Sequence, residues 1–121
     1  MLRVVTFPAL LLLCLPVFAD QLSTCLEETR GVTAAINSCL DAELSRQDAR
    51  LTAAYQKALG KVEGEKESRL RDSQRQWTKY RDASCDFIGS LTGGTVDSVR
   101  HLECLIRETS HRANELEALP L

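Results

Sequence analysis

Apolar residues recur at steps of three and four along three long stretches of this chain, and glycines separate the stretches. Ile36, Leu40, Leu44, Leu51, Tyr55, Ala58 and Leu59 form the first stripe. Leu70, Gln74, Trp77, Arg81, Ser84/Cys85, Ile88 and Leu91 keep the same spacing in the second, with polar interruptions at Gln74 and Arg81. Val99, Leu102, Leu105/Ile106, Thr109, Ala113 and Leu116 make the third. A period near 3.6 gathers such residues on one side of an α-helix, whereas a half-buried strand would need strict alternation. No stretch alternates in a sustained way and no Asn-Gly hairpin signal occurs, so strands are not expected. With 121 residues the chain has room for one domain.

Gly31, the Gly60 and Gly64 pair, and Gly93-Gly94 mark the stops, because glycine readily takes the left-handed conformation that closes a helix. Thr24-Cys25-Leu26-Glu27 has the form of a capping box with Thr24 as N-cap. Thr33 is placed to cap the second helix, and Thr95 with Asp97 supplies an N-cap and a first-turn anion for the last. Ion pairs are expected for Glu67–Arg71, Glu103–Arg107 and Glu108–Arg112 from their four-residue spacing. The expected fold is all-α, with one short and three longer helices in a small antiparallel bundle, since short connections favour antiparallel neighbours.

Five cysteines leave one over in any set of pairs. Residues 1–19 carry an early cation at Arg3, then an apolar run, then Val17-Phe18-Ala19 before Asp20, which is the pattern of a cleavable export signal. The run is too short and too poorly flanked for a membrane span. A lipid-attachment box wants a small residue before its cysteine, and Leu13 precedes Cys14, so no stable membrane anchor is expected after cleavage. Of 15 basic and 17 acidic residues only Arg3 falls in this leader, so residues 20–121 carry a formal charge of −3. They also hold four cysteines, which in a small periplasmic or secreted domain imply two disulfides with three possible pairings. Helices joined by short turns bring neighbours within bridging reach, about 5.5–6 Å between Cα atoms, so Cys25–Cys39 and Cys85–Cys104 are the expected pairs.

A formal charge of −2 on the whole chain, without a basic stripe, excludes an ordinary nucleic-acid binder. No Ser–His–Asp order, phosphate loop or His-Glu-x-x-His motif is present. Asp82 and Asp86 stand four apart on one helix, but a glycosidase needs two carboxylates across a sugar site with one pKa raised. Two acids on one helix without a cleft read as solvated or arginine-paired. His101 and Cys104 would need Cys85 and His111 to complete a zinc set, and disulfides take those cysteines in an exported protein. No enzymatic activity, metal or cofactor is therefore expected. Trp77 lies on the apolar stripe and reads as core. Arg81 falls near that stripe, where an unpaired charge is costly, so it calls for a carboxylate from a neighbouring helix, with Asp48 the candidate. Loops between helices are where a binding tip is placed. Phe87, Leu91, Thr92, Gly93, Gly94, Thr95 and Val96 are accordingly the candidate partner contacts.

Three stretches resemble one family. Gln74-Arg75-Gln76-Trp77-Thr78-Lys79-Tyr80-Arg81-Asp82-Ala83-Ser84-Cys85 resembles the signature Q-R-x-W-x-x-Y-R-D-x-x-C of the LprI-like lysozyme-inhibitor family. Asp48 to Tyr55 resembles its D-x-x-L-N-x-x-Y, with Thr52 where Asn is usual. Gly93-Gly94-Thr95, then Cys104-Leu105, Thr109, Arg112 and Glu115-Leu116, resemble the G-G-T … C-L-x-x-x-T-x-x-R-x-x-E-L tail. The resemblance spans essentially all of the chain after the leader, including the four cysteines. It implies an all-helical, disulfide-bonded envelope protein in which Asp48, Tyr55, Gln74, Arg75, Trp77, Tyr80, Arg81, Asp82, Thr109 and Arg112 serve the fold. It suggests an inhibitor of lysozyme-type muramidases that occludes the substrate cleft and needs no catalytic group of its own. A negative chain suits a basic lysozyme through complementary charge at encounter. The alternative is a non-enzymatic envelope adaptor that binds a protein partner and leaves muramidases untouched.

Overall fold

The computed structural model of the protein describes residues 18–121, with side chains from residue 21 onward. The leader expected over residues 1–19, with Cys14, lies up to residue 17 outside the described residues. Four helices follow: α1 (Phe18–Glu28), α2 (Thr33–Leu59), α3 (Glu65–Ile88) and α4 (Val96–Glu117). Among the described residues there is no strand. One short and three longer helices form, as the periodicity requires.

Consecutive helices run antiparallel, so α2 and α4 are parallel. Asn37 donates to Ser98 Oγ at 2.9 Å near their starts, Arg50 bonds Asn114 and Glu117 farther along, and Lys61 reaches the carbonyl of Leu121 at 3.1 Å beyond their ends. α4 packs on both α2 and α3, and α1 lies against α2. Leu51, Ala54, Ala113 and Leu116 form the buried cluster between α2 and α4, and Tyr55, Leu70 and Trp77 close over it. Small alanines at this contact leave room for the two helix backbones to pack closely. Cys25–Cys39 ties α1 to α2 with Cα atoms 5.8 Å apart. Cys85–Cys104 ties the end of α3 to the third turn of α4 at 5.5 Å. Cys85 and Cys104 are fully buried.

Helix ends depart from the sequence reading in three places. α1 begins at Phe18, so Thr24 is an interior residue and caps nothing. Inside a helix the backbone N–H groups already bond carbonyls one turn back, and a capping box has no orphan donor to satisfy. α2 begins at Thr33 itself, and its N-cap is Val32, which offers no side-chain bond. α3 stops at Ile88 with Gly89 as its C-cap, ahead of Gly93-Gly94, and this leaves Leu91 in the connecting loop despite its helical spacing. A Cβ at Gly89 would stand 2.7 Å from the Cβ of His101, so only glycine lets α4 pass this close.

The outer ion pairs also divide. Arg71 bonds Glu67 at 2.7 Å, as its spacing requires. Arg107 instead pairs with adjacent Glu108, and Arg112 turns away from Glu108 toward Gln74 and Ser73 on α3 and toward Glu115. An exposed four-residue pair is worth only about 0.2–0.5 kcal/mol, so bonds between helices displace it.

Candidate functional site

The α3–α4 connection is built around one carboxylate. Asp97, in the first turn of α4, is buried and accepts the Thr92 hydroxyl at 2.8 Å, the Thr92 amide at 3.0 Å and the Gly93 amide at 2.7 Å. Burial opposes its charge, but the Thr92 hydroxyl, the two amides and nearby Arg100 outweigh that opposition and hold its pKa below the ordinary aspartate value. Gly93 takes φ of 72°, which closes the turn beneath the carboxylate. Thr95 occupies the N-cap position without a side-chain capping bond. Asp97 instead reaches backward and ties the loop amides of Thr92 and Gly93 to the first turn of α4.

This arrangement stands the loop's apolar side chains in solvent. Phe87 is 66% exposed, Leu91 55% and Val96 44%. Thr92, Gly93, Gly94 and Thr95 between them are also exposed. All seven residues chosen from the sequence as candidate contacts are exposed at the α3–α4 connection. The Cys85–Cys104 bridge lies directly beneath it.

The α1–α2 turn carries residues that the sequence reading passed over. Thr29 is buried, donates its hydroxyl to the Leu26 carbonyl at 2.7 Å, and its own carbonyl accepts the Val32 amide at 3.0 Å. Arg30 and Gly31 both take left-handed backbone, with φ of 50° and 79°. Val32 is 58% exposed. The signal available beforehand was the Arg30-Gly31 pair just past a short helix, where the left-handed stop falls one residue earlier than the glycine.

The family-like motif residues assemble elsewhere, along the seam of α3 with α2 and α4. Trp77 is half-buried, with the Arg81 guanidinium 5.2 Å and the Arg112 guanidinium 6.0 Å from its ring centre. Arg81 donates to the fully buried Thr109 hydroxyl at 3.2 Å, lies 3.5 Å from Asp48, and bonds Asp82 at 2.9 Å. Arg112 donates to Gln74 at 3.1 Å and to Ser73 at 3.0 Å. Cations over an indole face gain from its quadrupole, and each guanidinium is also neutralised, so this is a stable polar seam. Tyr55 packs on the core cluster, Arg75 pairs with Asp72 at the surface, and Tyr80 points outward at 60% exposure.

The two acids considered for glycoside chemistry do not face one another across a cleft. Asp82 is held by Arg81, and Asp86 lies 3.7 Å from His101. His101 Nδ1 sits 3.0 Å from the Cys85 carbonyl. Among the described residues no group of three or more His, Cys, Asp and Glu is placed to hold a metal ion. Nor is any described helix long and apolar enough to cross a membrane.

Fold and site together define a small disulfide-stapled helical bundle with a preformed apolar tip. The model of the family described as "Lysozyme inhibitor LprI" matches residues 25–116, and the chain belongs to that family. A relative from Rhizobium meliloti (strain 1021), described as an uncharacterized protein, is 30% identical over 99 residues, covering 69% of this chain and 70% of its own length. No solved structure matches the chain. At the level of the family, membership carries a role in lysozyme inhibition, a protein partner and an extracytoplasmic setting.

Proposed function

We propose that the protein is an extracytoplasmic, non-enzymatic inhibitor of lysozyme-type muramidases that fills the substrate cleft with its α3–α4 tip. One observation carries this reading. Phe87, Leu91 and Val96 stand exposed around a turn whose backbone is already fixed by Asp97 and underpinned by Cys85–Cys104. A contiguous exposed apolar patch marks an interaction site. Held on a rigid support, it loses little conformational freedom on docking. Muramidases work with two carboxylates in a cleft that must admit a sugar chain. A protein knob in that cleft excludes the chain without doing any chemistry. The acidic excess of the sequence favours encounter with a basic enzyme.

The test is a titration of the purified protein into a basic animal-type lysozyme and, in parallel, a bacterial muramidase, with cell-wall lysis as readout. Loss of lysis approaching one-to-one stoichiometry is the expected result. Full lysis at large molar excess over both enzymes would overturn the reading. Co-purification with another envelope protein, together with unchanged lysis, would establish the adaptor alternative.

A further inference from the structure

The tip shares its end of the bundle with the α1–α2 turn. Asn37 on α2 bonds Ser98 on α4, so these two parallel helices are level at that layer. Val32 lies five residues before Asn37 and Val96 two before Ser98. With a rise of 1.5 Å per residue, both project past the layer to within about 5 Å of each other along the axis. Neighbouring helix axes lie about 8–10 Å apart, so the two turns border a single end surface. Cys25–Cys39 fastens one turn as Cys85–Cys104 fastens the other.

Arg30 stands out on this surface. Every other described arginine has a carboxylate partner. Arg30 has none among the described residues, is exposed, and holds φ of 50°, a conformation that non-glycine residues rarely take. Glycine would adopt that backbone without strain, so the turn itself does not call for a long cationic side chain. Strained residues persist at sites where the displayed side chain has a use. An unpaired guanidinium beside an apolar rim is complementary to an apolar cleft that contains carboxylates, since a planar fork of donors matches a carboxylate two bonds at a time.

We infer that Arg30 is the electrostatic anchor of the docking surface. It pairs with the carboxylates of the muramidase cleft while Val32, Leu91 and Val96 seat against the cleft's apolar walls. The inference rests on the inhibitor reading and adds the turn and the charge by which the enzyme is recognised. Arg30→Gln removes the charge, and Arg30→Gly removes it while relieving the backbone. Each variant is titrated against a basic animal-type lysozyme, and its binding is measured by calorimetry to the same lysozyme with both cleft carboxylates replaced by the corresponding amides. Both variants are expected to inhibit about tenfold more weakly than the parent. Their melting temperatures should be unchanged or higher. Against the amide-substituted lysozyme the gap between parent and variants should shrink to about threefold or less. Variants that inhibit as well as the parent would overturn the inference and leave the inhibitor reading standing. A tenfold loss that persists undiminished against the amide-substituted enzyme would also overturn it. A parent protein without any effect on lysis would overturn the inhibitor reading itself, and the anchor with it.

Discussion

Asp97 takes both hydrogens that Thr92 can donate, the hydroxyl at 2.8 Å and the backbone amide at 3.0 Å. This places the geometry of the whole tip under one carboxylate. Its pKa in the folded protein lies below the ordinary value, burial being outweighed by the Thr92 and Gly93 bonds and by Arg100. A carboxylate lowered on folding stabilises the native state above its unfolded pKa, near 3.9 for aspartate, and that contribution is lost as pH falls through the folded value. Glu117, lowered chiefly by its bond from Arg50, acts in the same direction at the opposite end of the bundle. The contributions of these two carboxylates should therefore be full from neutral pH down to about 5 and decline below about 4. The Thr92 and Gly93 amide resonances report the tip directly, and their acid transition should have a midpoint below that of a free aspartate. Asp97→Asn should abolish this transition and lower the melting temperature by several degrees. Amide resonances of Thr92 and Gly93 that titrate at or above the ordinary aspartate value would contradict the assignment.

The Arg81–Thr109 bond makes a second prediction. Thr109 has no exposed surface, so its hydroxyl depends on Arg81 for a donor. Thr109→Val keeps the shape and removes the acceptor, at an expected cost of about 1–2 kcal/mol. Arg81→Met loses this bond, the carboxylate contacts and the stacking on Trp77, and should cost about 2–3 kcal/mol. The double variant should be less destabilised than the two effects combined by about 1 kcal/mol, because the two residues share one bond. Urea denaturation of the three variants measures the coupling, and strict additivity would show that the bond contributes nothing.

What the sequence makes legible is what neighbours along the chain decide. Burying one side every 3.6 residues is a local requirement, and α2 from Ile36 to Leu59 and α4 from Val99 to Leu116 satisfy it openly. The exposed connection between α3 and α4 is legible because a glycine pair flanked by apolar groups between two helical patterns is itself a local pattern. Partners far apart in sequence decide the rest. Position 89 has to be glycine because His101, twelve residues on, occupies the space a side chain would need. Arg112 abandons its neighbour Glu108 because Gln74 and Ser73 are presented to it by α3. The Thr24 box failed because α1 starts at Phe18, upstream of the pattern that suggested its beginning. Arg30 could not be singled out at all, since being the arginine without a carboxylate is a property of the folded surface.

The two disulfides should differ sharply in their response to reductant. Each closes a loop of 14 or 19 residues, and each should stabilise the fold by about 3 kcal/mol in the chain-entropy description. Thiol exchange, however, needs a thiolate to reach a sulfur. Cys85 and Cys104 are almost completely buried, whereas Cys25 is half-exposed on α1. Mild reductant with rapid alkylation should label Cys25 and Cys39 first, with Cys85–Cys104 opening only on global unfolding. Mass spectrometry of the alkylated peptides reads the order directly, and simultaneous labelling of all four cysteines below the unfolding transition would refute it.

The tip separates stability from recognition. Phe87 and Leu91 are exposed and contribute little to the buried cluster, which consists of α2 and α4 side chains. Surface substitutions away from caps and networks usually change stability by less than about 0.5 kcal/mol. Phe87→Ser and Leu91→Ser should therefore leave the circular dichroism spectrum and the denaturation midpoint unchanged. If these side chains anchor the interface, each removal should weaken lysozyme inhibition by about tenfold or more, as expected for a central apolar anchor. Gly89→Ala is the complementary variant. Its new methyl group meets His101 and should destabilise the protein by about 1–3 kcal/mol, displacing the tip through the α3–α4 contact without altering a single tip side chain. Lysozyme titrations and urea melts on the three proteins distinguish the cases. Serine variants that lose stability but keep inhibition would show that Phe87 and Leu91 belong to the fold and not to the contact surface.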